Sequence, residues 1–268
     1  VLDSVTSAKK GTEFYDHAFY EAASIRKFND TYYLIYSSGQ NNELAYATSK
    51  YPDRDFEYKG VMISNSDLGY KGNKQRKAPA GTIHGSVEQI NGKYYVFYHR
   101  CTNNTDFSRQ ACAEPIEMIN GEFVQTEVTT QGVGKPLKAL GEYSAALCCN
   151  LYNSKTKNVQ GNGHGDDQPN IAYRNGEHFV TAITDGTTVG FKYFDFDNPK
   201  YIEITVRGQG GSIKITTANG NAIASIIWEK SDGWKTYTVQ LKQIKGVQPL
   251  FFTFTGKGQA DFKSFTLS

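Results

Sequence analysis

Apolar and polar residues alternate along most of this chain in short runs, and almost nowhere do apolar residues recur at the three-and-four spacing of a helix face. A period of two sends successive side chains to opposite faces of a strand, so the pattern predicts strands. The runs are rich in Tyr, Phe, Val, Ile and Thr and are separated by Asn-Asp, Asn-Gly and Asp-Gly pairs, which favour tight hairpin turns. The first stretch of this kind, Phe19–Ser38, reads as a strand, a turn at Asn29-Asp30-Thr31, and an aromatic second strand. Strands at Glu43–Thr48 and Phe56–Ile63 follow, then a polar loop over 64–81. A loop of that length inside a compact domain is functional or disordered. Residues 101–112 (CTNNTDFSRQAC) read as a further loop, before strands at Ala111–Ile119 and Glu122–Thr126 joined by an Asn120-Gly121 turn.

The first hairpin is repeated. Ser24, Asn29, Tyr32, Tyr33 and Tyr36 are echoed by Ser86, Asn91, Tyr94, Tyr95 and Tyr98 at a constant offset of 62 residues. A strand-turn-strand unit followed by further short strands, four strands to the unit, is how a propeller blade reads. The competing reading is two unrelated hairpins with similar turns. Two blades do not close a ring, which takes about four to eight, so the chain reads as the C-terminal part of a larger propeller. The repeat also aligns two polar residues, Glu21 three before Ser24 and His84 two before Ser86. Innermost blade strands begin or end at the central channel, so both side chains are expected to face one axis. A carboxylate at the mouth of a buried hairpin is desolvated on one side, which makes it a usable proton donor. The plainer alternatives are a loop-capping Glu21 or a Glu21–Arg26 ion pair, and for His84 a satisfied structural histidine.

The rhythm changes after 127–141. About eight alternating segments follow, from YRNGEHFVTAITDG to DFKSFTLS, and they predict a β-sandwich of jelly-roll type. The fold class is therefore all-β, a partial propeller (the last two blades or so) over 1–137 and a sandwich over 138–268. The junction falls near Pro136–Gly141. Trp234 and Tyr237 could form a sugar platform, although the alternation along WKTYTVQL favours core packing.

Composition narrows the function classes. The net charge is +2 with scattered basic residues, and no apolar run reaches the ~20 residues of a membrane span, so neither a nucleic-acid footprint nor a membrane anchor is expected. The aromatic share of 13% suits both a β core and stacking on pyranose rings. Of the four cysteines, adjacent Cys148 and Cys149 do not readily bridge, and free buried thiols are expected. A Cys101–Cys112 disulfide across the intervening loop is the alternative. Asn29-Asp30-Thr31 and Asn103-Asn104-Thr105 match the glycosylation sequon, a weak pattern. The opening VLDSVTSAKK is not a signal peptide and has no initiator Met, so it need not be the natural start.

The stretch Tyr20–Ser37, His84-Gly85-Ser86 with the later Tyr98-His99, and the Ser108–Pro115 run together resemble glycoside hydrolase family 43, which implies that the partial propeller belongs to a five-bladed one. The C-terminal region is similar to family 6 carbohydrate-binding modules. The resemblance implies an inverting glycosidase of the arabinofuranosidase or β-xylosidase type, acting on plant cell-wall polysaccharides or their oligosaccharides outside the cytoplasm. On that resemblance Glu21 matches the general acid and His84 a channel histidine near a cation or its waters. Arg109, or Arg100 in its place, matches an arginine touching the sugar. Glu142 and Asp261 loosely match carboxylates of a structural calcium site; calcium is the one cofactor implied, and no organic cofactor is. The family's general base and a further tuning carboxylate lie in blades this chain does not contain. The resemblance thus implies a partner, an N-terminal propeller fragment or second chain, and no activity for this chain alone. The alternative is a non-catalytic carbohydrate-binding protein that kept the propeller and lost the chemistry.

Overall fold

The computed structural model describes residues 2–4, 6–39, 42–79, 81–154 and 168–268, and counts of elements refer to these. Val1 and Val5 of the opening stretch and Ala80 of the 64–81 loop lie outside them. The chain is all-β. Strands β1 (Phe19–Phe28), β2 (Thr31–Ser38), β3 (Glu43–Ser49) and β4 (Glu57–Ser64) form one antiparallel sheet in sequence order. Asn29 takes φ 53° in the two-residue turn, which sets Phe28 opposite Thr31. Asn tolerates that left-handed backbone better than most residues do.

Strands β2 and β3 are buried on both faces, which is why their sequence reads as nearly continuous apolar runs. One face sends Tyr33, Ile35, Leu44 and Tyr46 toward the second hairpin. The other, with Leu34, Tyr36, Ala45 and Ala47, packs with Phe56 and the N-terminal Leu2. A 3-10 turn at Glu13–His17 holds this N-terminal cover down. His17 Nδ1 lies 2.5 Å from the buried Glu43, its ring stacks on Tyr58 at 5.2 Å, and its carbonyl accepts from the Tyr36 hydroxyl.

Strands β5 (Gly85–Ile90), β6 (Lys93–Thr102) and β7 (Thr105–Ile116) form a three-stranded antiparallel sheet, and β8 (Met118–Ile119) and β9 (Glu122–Phe123) a separate hairpin. The second blade is thus one strand short of the four expected. Its last hairpin turns inward instead, wedging Phe123 edge-on between Tyr33, Tyr46 and Tyr94, with the Phe123 N–H donated to the Tyr46 hydroxyl. The expected loop over 101–112 is also corrected. Asn103 and Asn104 both adopt positive φ, 54° and 52°, and make a two-residue hairpin turn that carries β6 straight into β7. The register sets Cys101 opposite Arg109 and Cys112 opposite Tyr98. That is three residues out of step, ~10 Å along the strand and beyond disulfide reach. All four cysteines are free.

The repeat is realised in space, because Ser24 Oγ donates to Ser86 Oγ at 2.9 Å where β1 meets β5.

The sandwich starts at β10 (Leu137–Lys138) and continues through β11 (Gly141–Ser144), β12 (Asn150–Asn153), β13 (Asn170–Arg174) and β14 (Glu177–Ile183). Then come β15 (Thr187–Asp197), β16 (Tyr201–Gly208), β17 (Gly211–Thr216) and β18 (Ala222–Trp228). The last three strands are β19 (Ser231–Gln240), β20 (Lys245–Thr255) and β21 (Ala260–Leu267). One sheet runs β10-β15-β20-β17-β18 with β12 on β15, the other β13-β14-β21-β16-β19 with β11 on β21. Between them Phe191, Phe194, Phe252, Phe262 and Phe265 interlock, mostly edge-on or tilted. Trp234 and Tyr237 divide: Tyr237 packs on this core, while Trp234 lies against Phe179 and Arg207, which stand outside it.

The 64–81 loop ties the two regions together. Asp67, 5% exposed, accepts from the Lys192 ammonium of β15 at 2.9 Å and from the Val128 N–H, while Glu127 takes Lys192 and the Tyr193 hydroxyl. Burial alone would lower the Lys192 pKa, yet the anionic surroundings hold it above the ordinary lysine value. Removing one member of a buried charge cluster strands the others. Lys192→Ala should therefore cost about 3–5 kcal/mol of stability, read as a lowered urea midpoint; an unchanged midpoint would show that the cluster holds nothing.

Candidate functional site

The site forms where β1 and β5 approach each other. Two register shifts flank Glu21, between Phe19 and Glu21 and between Glu21 and Ser24, and Ala22 adopts φ 59°. A non-glycine residue there is strained, and bulges of this kind re-aim a side chain. The carboxylate that results is 42% exposed, and its Oε1 lies 2.8 Å from His84 Nε2. Arg26 does not pair with it; Arg26 reaches Glu88 instead.

His84 is placed by the segment 81–84. Ile83 is buried and its carbonyl accepts from Ser37 Oγ, while Asn65 Nδ2 donates to the carbonyls of Thr82 and His99. Gly85 then lets the start of β5 close up beside β6, since a Cβ there would sit 2.0 Å from the Phe97 carbonyl oxygen. Arg109, on β7, donates through Nη1 to His84 Nδ1 at 3.4 Å and through Nε to the Asp106 carbonyl at 2.9 Å. Arg is a donor only, so His84 Nδ1 accepts and its proton sits on Nε2, facing Glu21. With both ring nitrogens engaged, His84 does not fit a direct metal ligand.

Three expected site residues are placed elsewhere. Arg100, adjacent to His99 on β6, points away toward the sandwich, where its guanidinium donates to the carbonyls of Ala146 and Cys148 and to Gln110. Strand alternation is the reason, since neighbours on β6 face opposite ways. Glu142 and Asp261 do not share a site. Glu142 lies opposite Thr266, five residues from Asp261 along β21, a separation of ~17 Å. Asp261 is already bound by Arg207 at 2.8 Å and by the Thr181 hydroxyl at 2.6 Å, so the pair does not fit calcium. Among the described residues no group of three or more His, Cys, Asp and Glu side chains is arranged to hold a metal.

Two neighbours of the site carry no assigned role along the sequence. His99 packs edge-on to His84 at 5.1 Å and bridges the His84 N–H and the Thr82 hydroxyl. Phe107, 95% exposed, stands two residues before Arg109 on the same side of β7. His99 stands in the Tyr98-His99 pair already noted along the sequence, whereas Phe107 lies outside the repeated hairpin and just before the Ser108–Pro115 run.

Burial above all, with the positive charge of Arg109 beside it, pushes the His99 pKa down to about 4. Because that lies below the ordinary histidine value of ~6.5, the unfolded chain binds the extra proton first. Stability tied to His99 is complete above about pH 6.5 and is lost as pH falls toward about 4. Urea midpoints measured from pH 7 down to 4.5 should fall less steeply in His99→Asn than in the wild type; parallel curves would remove His99 as a source of acid lability.

No family model matches the chain. A xylosidase/arabinosidase of Thermoclostridium stercorarium is 40% identical over 281 residues, covering 96% of this chain and 58% of that protein. A β-xylosidase of Xylanibacter ruminicola is 33% identical over 90 residues, 34% of this chain and 24% of that protein. Among solved structures, the family 43 arabinoxylan arabinofuranohydrolase of Bacillus subtilis, crystallised with cellotetraose, aligns with a TM-score of 0.49 and 19% identity. That alignment covers 93% of this chain and 54% of that one. A family 6 carbohydrate-binding module of Clostridium stercorarium, with cellobiose, gives a TM-score of 0.42 and 17% identity over 51% of this chain and 98% of that one. The chain spans a little over half the length of the Thermoclostridium protein, and it is a homologue of the xylosidase/arabinosidases, in keeping with its resemblance to glycoside hydrolase family 43.

Proposed function

We propose that this chain is the acid-bearing portion of an inverting glycoside hydrolase acting on α-L-arabinofuranosides or β-D-xylosides of xylan-type polysaccharides outside the cytoplasm. The observation that carries the reading is the Glu21 carboxylate, re-aimed by two bulges and held 2.8 Å from His84 where the repeated hairpins meet. In this reading Glu21 protonates the leaving-group oxygen, and His84 orients the carboxyl group through its Nε2 proton. Arg109, exposed beyond His84, offers donors to sugar hydroxyls, and the Phe107 ring gives a pyranose an apolar face.

Inversion needs a second carboxylate that activates water from the opposite side of the sugar, roughly 6.5–9.5 Å away. We assign that base to the part of the protein outside this chain, whose nearest measure is the two-fifths of the Thermoclostridium protein that the chain does not cover. The same part, an N-terminal propeller segment or a second chain, would cover the side of β6 that carries Phe97, a residue 42% exposed.

The test uses the complete enzyme. Removing a positioned acid typically costs about 10²–10⁴ in rate, and the loss shrinks when the leaving group needs little protonation. Glu21→Ala should damage turnover of natural xylosides or arabinosides far more than that of dinitrophenyl glycosides. Equal loss on both would assign Glu21 a structural or base role, and no loss on either would take it out of the site.

A further inference from the structure

We infer that His99 is a positioning residue for this site: its imidazole accepts the main-chain N–H of His84 and so aims the His84 ring at Glu21. The inference deepens the reading above and rests on Glu21 and His84 being the reacting pair. Residues 81–84 precede β5 and lie in no strand, so the His84 N–H has no ladder partner. It donates to His99 Nδ1 at 3.2 Å. A nitrogen that accepts carries a lone pair, so the proton of the neutral His99 ring is on Nε2, 3.1 Å from Thr82 Oγ1. The Thr82 hydroxyl is left to turn toward Cys101 Sγ at 3.6 Å. The ring is thereby held at both nitrogens, and its edge-to-face contact with His84 fixes the third side. Beside it, the Arg100 contacts to the sandwich keep β6 from shifting along its own axis.

What His99 fixes is the main chain from which the His84 ring projects. Because Arg109 occupies His84 Nδ1, only Nε2–H is left to meet Glu21, and a small swing at residue 84 takes that proton out of the 2.8 Å contact. The neutral His99 ring also adds no second positive charge beside Arg109. A residue that merely fills space would be replaced equally well by either amide. The structure distinguishes them, since an Asn carbonyl reaches the place of Nδ1 and restores the acceptor, whereas the longer Gln side chain reaches past it toward the place of Nε2.

The test is made first on the 268-residue chain with ¹⁵N-labelled histidine, through the ring-nitrogen shifts of His84. The wild type should show a single tautomer with its proton on Nε2. His99→Asn should keep it, and His99→Gln should give shifts averaged over both tautomers while the thermal midpoint stays close to that of His99→Asn. In the complete enzyme His99→Gln should lower kcat on natural glycosides by about 10- to 100-fold, the range seen when supporting partners of a site are removed, with KM little changed and most of the loss recovered in His99→Asn. If His99→Gln does not fold, Thr82→Val, which frees the far nitrogen of His99, should shift the His84 signals in the same direction by a smaller amount. A His84 tautomer that stays fixed on Nε2 in every folded variant, or that is already averaged in the wild type, overturns the inference. The spectroscopic result needs no turnover, so an enzyme without glycosidase activity would sink the proposed function and leave this result standing.

Discussion

The hydrogen bond between Ser24 and Ser86 marks the constraint on which the site depends, that the leading strands of two like hairpins lie side by side. Each hairpin alone exposes one apolar face. Pressing the faces together buries Tyr33, Ile35, Leu44 and Tyr46 against Val87, Val96 and Tyr98, and that burial is what fixes the separation of β1 and β5. Once the separation is set, residues a few positions upstream of each serine have little choice of place. Glu21 and His84 meet because they stand at the same end of the two strands, and the bulges around Glu21 supply the remaining rotation.

The sandwich takes part in this arrangement directly. Arg100 anchors β6 to the carbonyls of Ala146 and Cys148, Asn103 exchanges hydrogen bonds with Ile171 and Tyr173, and Lys192 sits between two carboxylates of the propeller region. Charges taken out of water add little net stability, but they tolerate few alternative arrangements, because a shifted strand would leave a buried carboxylate unpaired. The interface therefore specifies how the sandwich sits on β6 more than it adds to the folding energy. Residues 99 and 100 show the coupling on the smallest scale, one side chain turned to the site and the next to the sandwich.

Glu114 has a comparable supporting part. It lies in the Ser108–Pro115 run, buried at 1% exposure, and accepts from the Tyr98 hydroxyl, two main-chain N–H groups and the Thr129 hydroxyl. Burial raises its pKa against the lowering effect of those donors. Its carboxylate pins the segment that leaves the propeller region to the strand that carries Arg109, so this part of the motif serves the framework and only Arg109 of the run reaches His84.

The sequence by itself determined the all-β class, the turn of the first hairpin and the internal repeat, and it led to the expectation that Glu21 and His84 face one axis. Alternation and turn chemistry are local, and a repeat carries its own register from one copy to the next. Only the tertiary structure decided which face of a strand each polar residue takes across a bulge, and which partners wait there. Arg100 and Arg109 are equally plausible along the chain, yet one is drawn to carbonyls of the sandwich and the other to His84. Asp261 has the chemistry of a calcium ligand but is claimed by Arg207 from a neighbouring strand. Cys101 and Cys112 bracket what reads as a loop, until two asparagines with positive φ make it a hairpin and move the thiols out of step. Each of these outcomes turns on a contact between residues far apart in sequence, and a single chain of letters does not encode the competition among such partners; packing settles it.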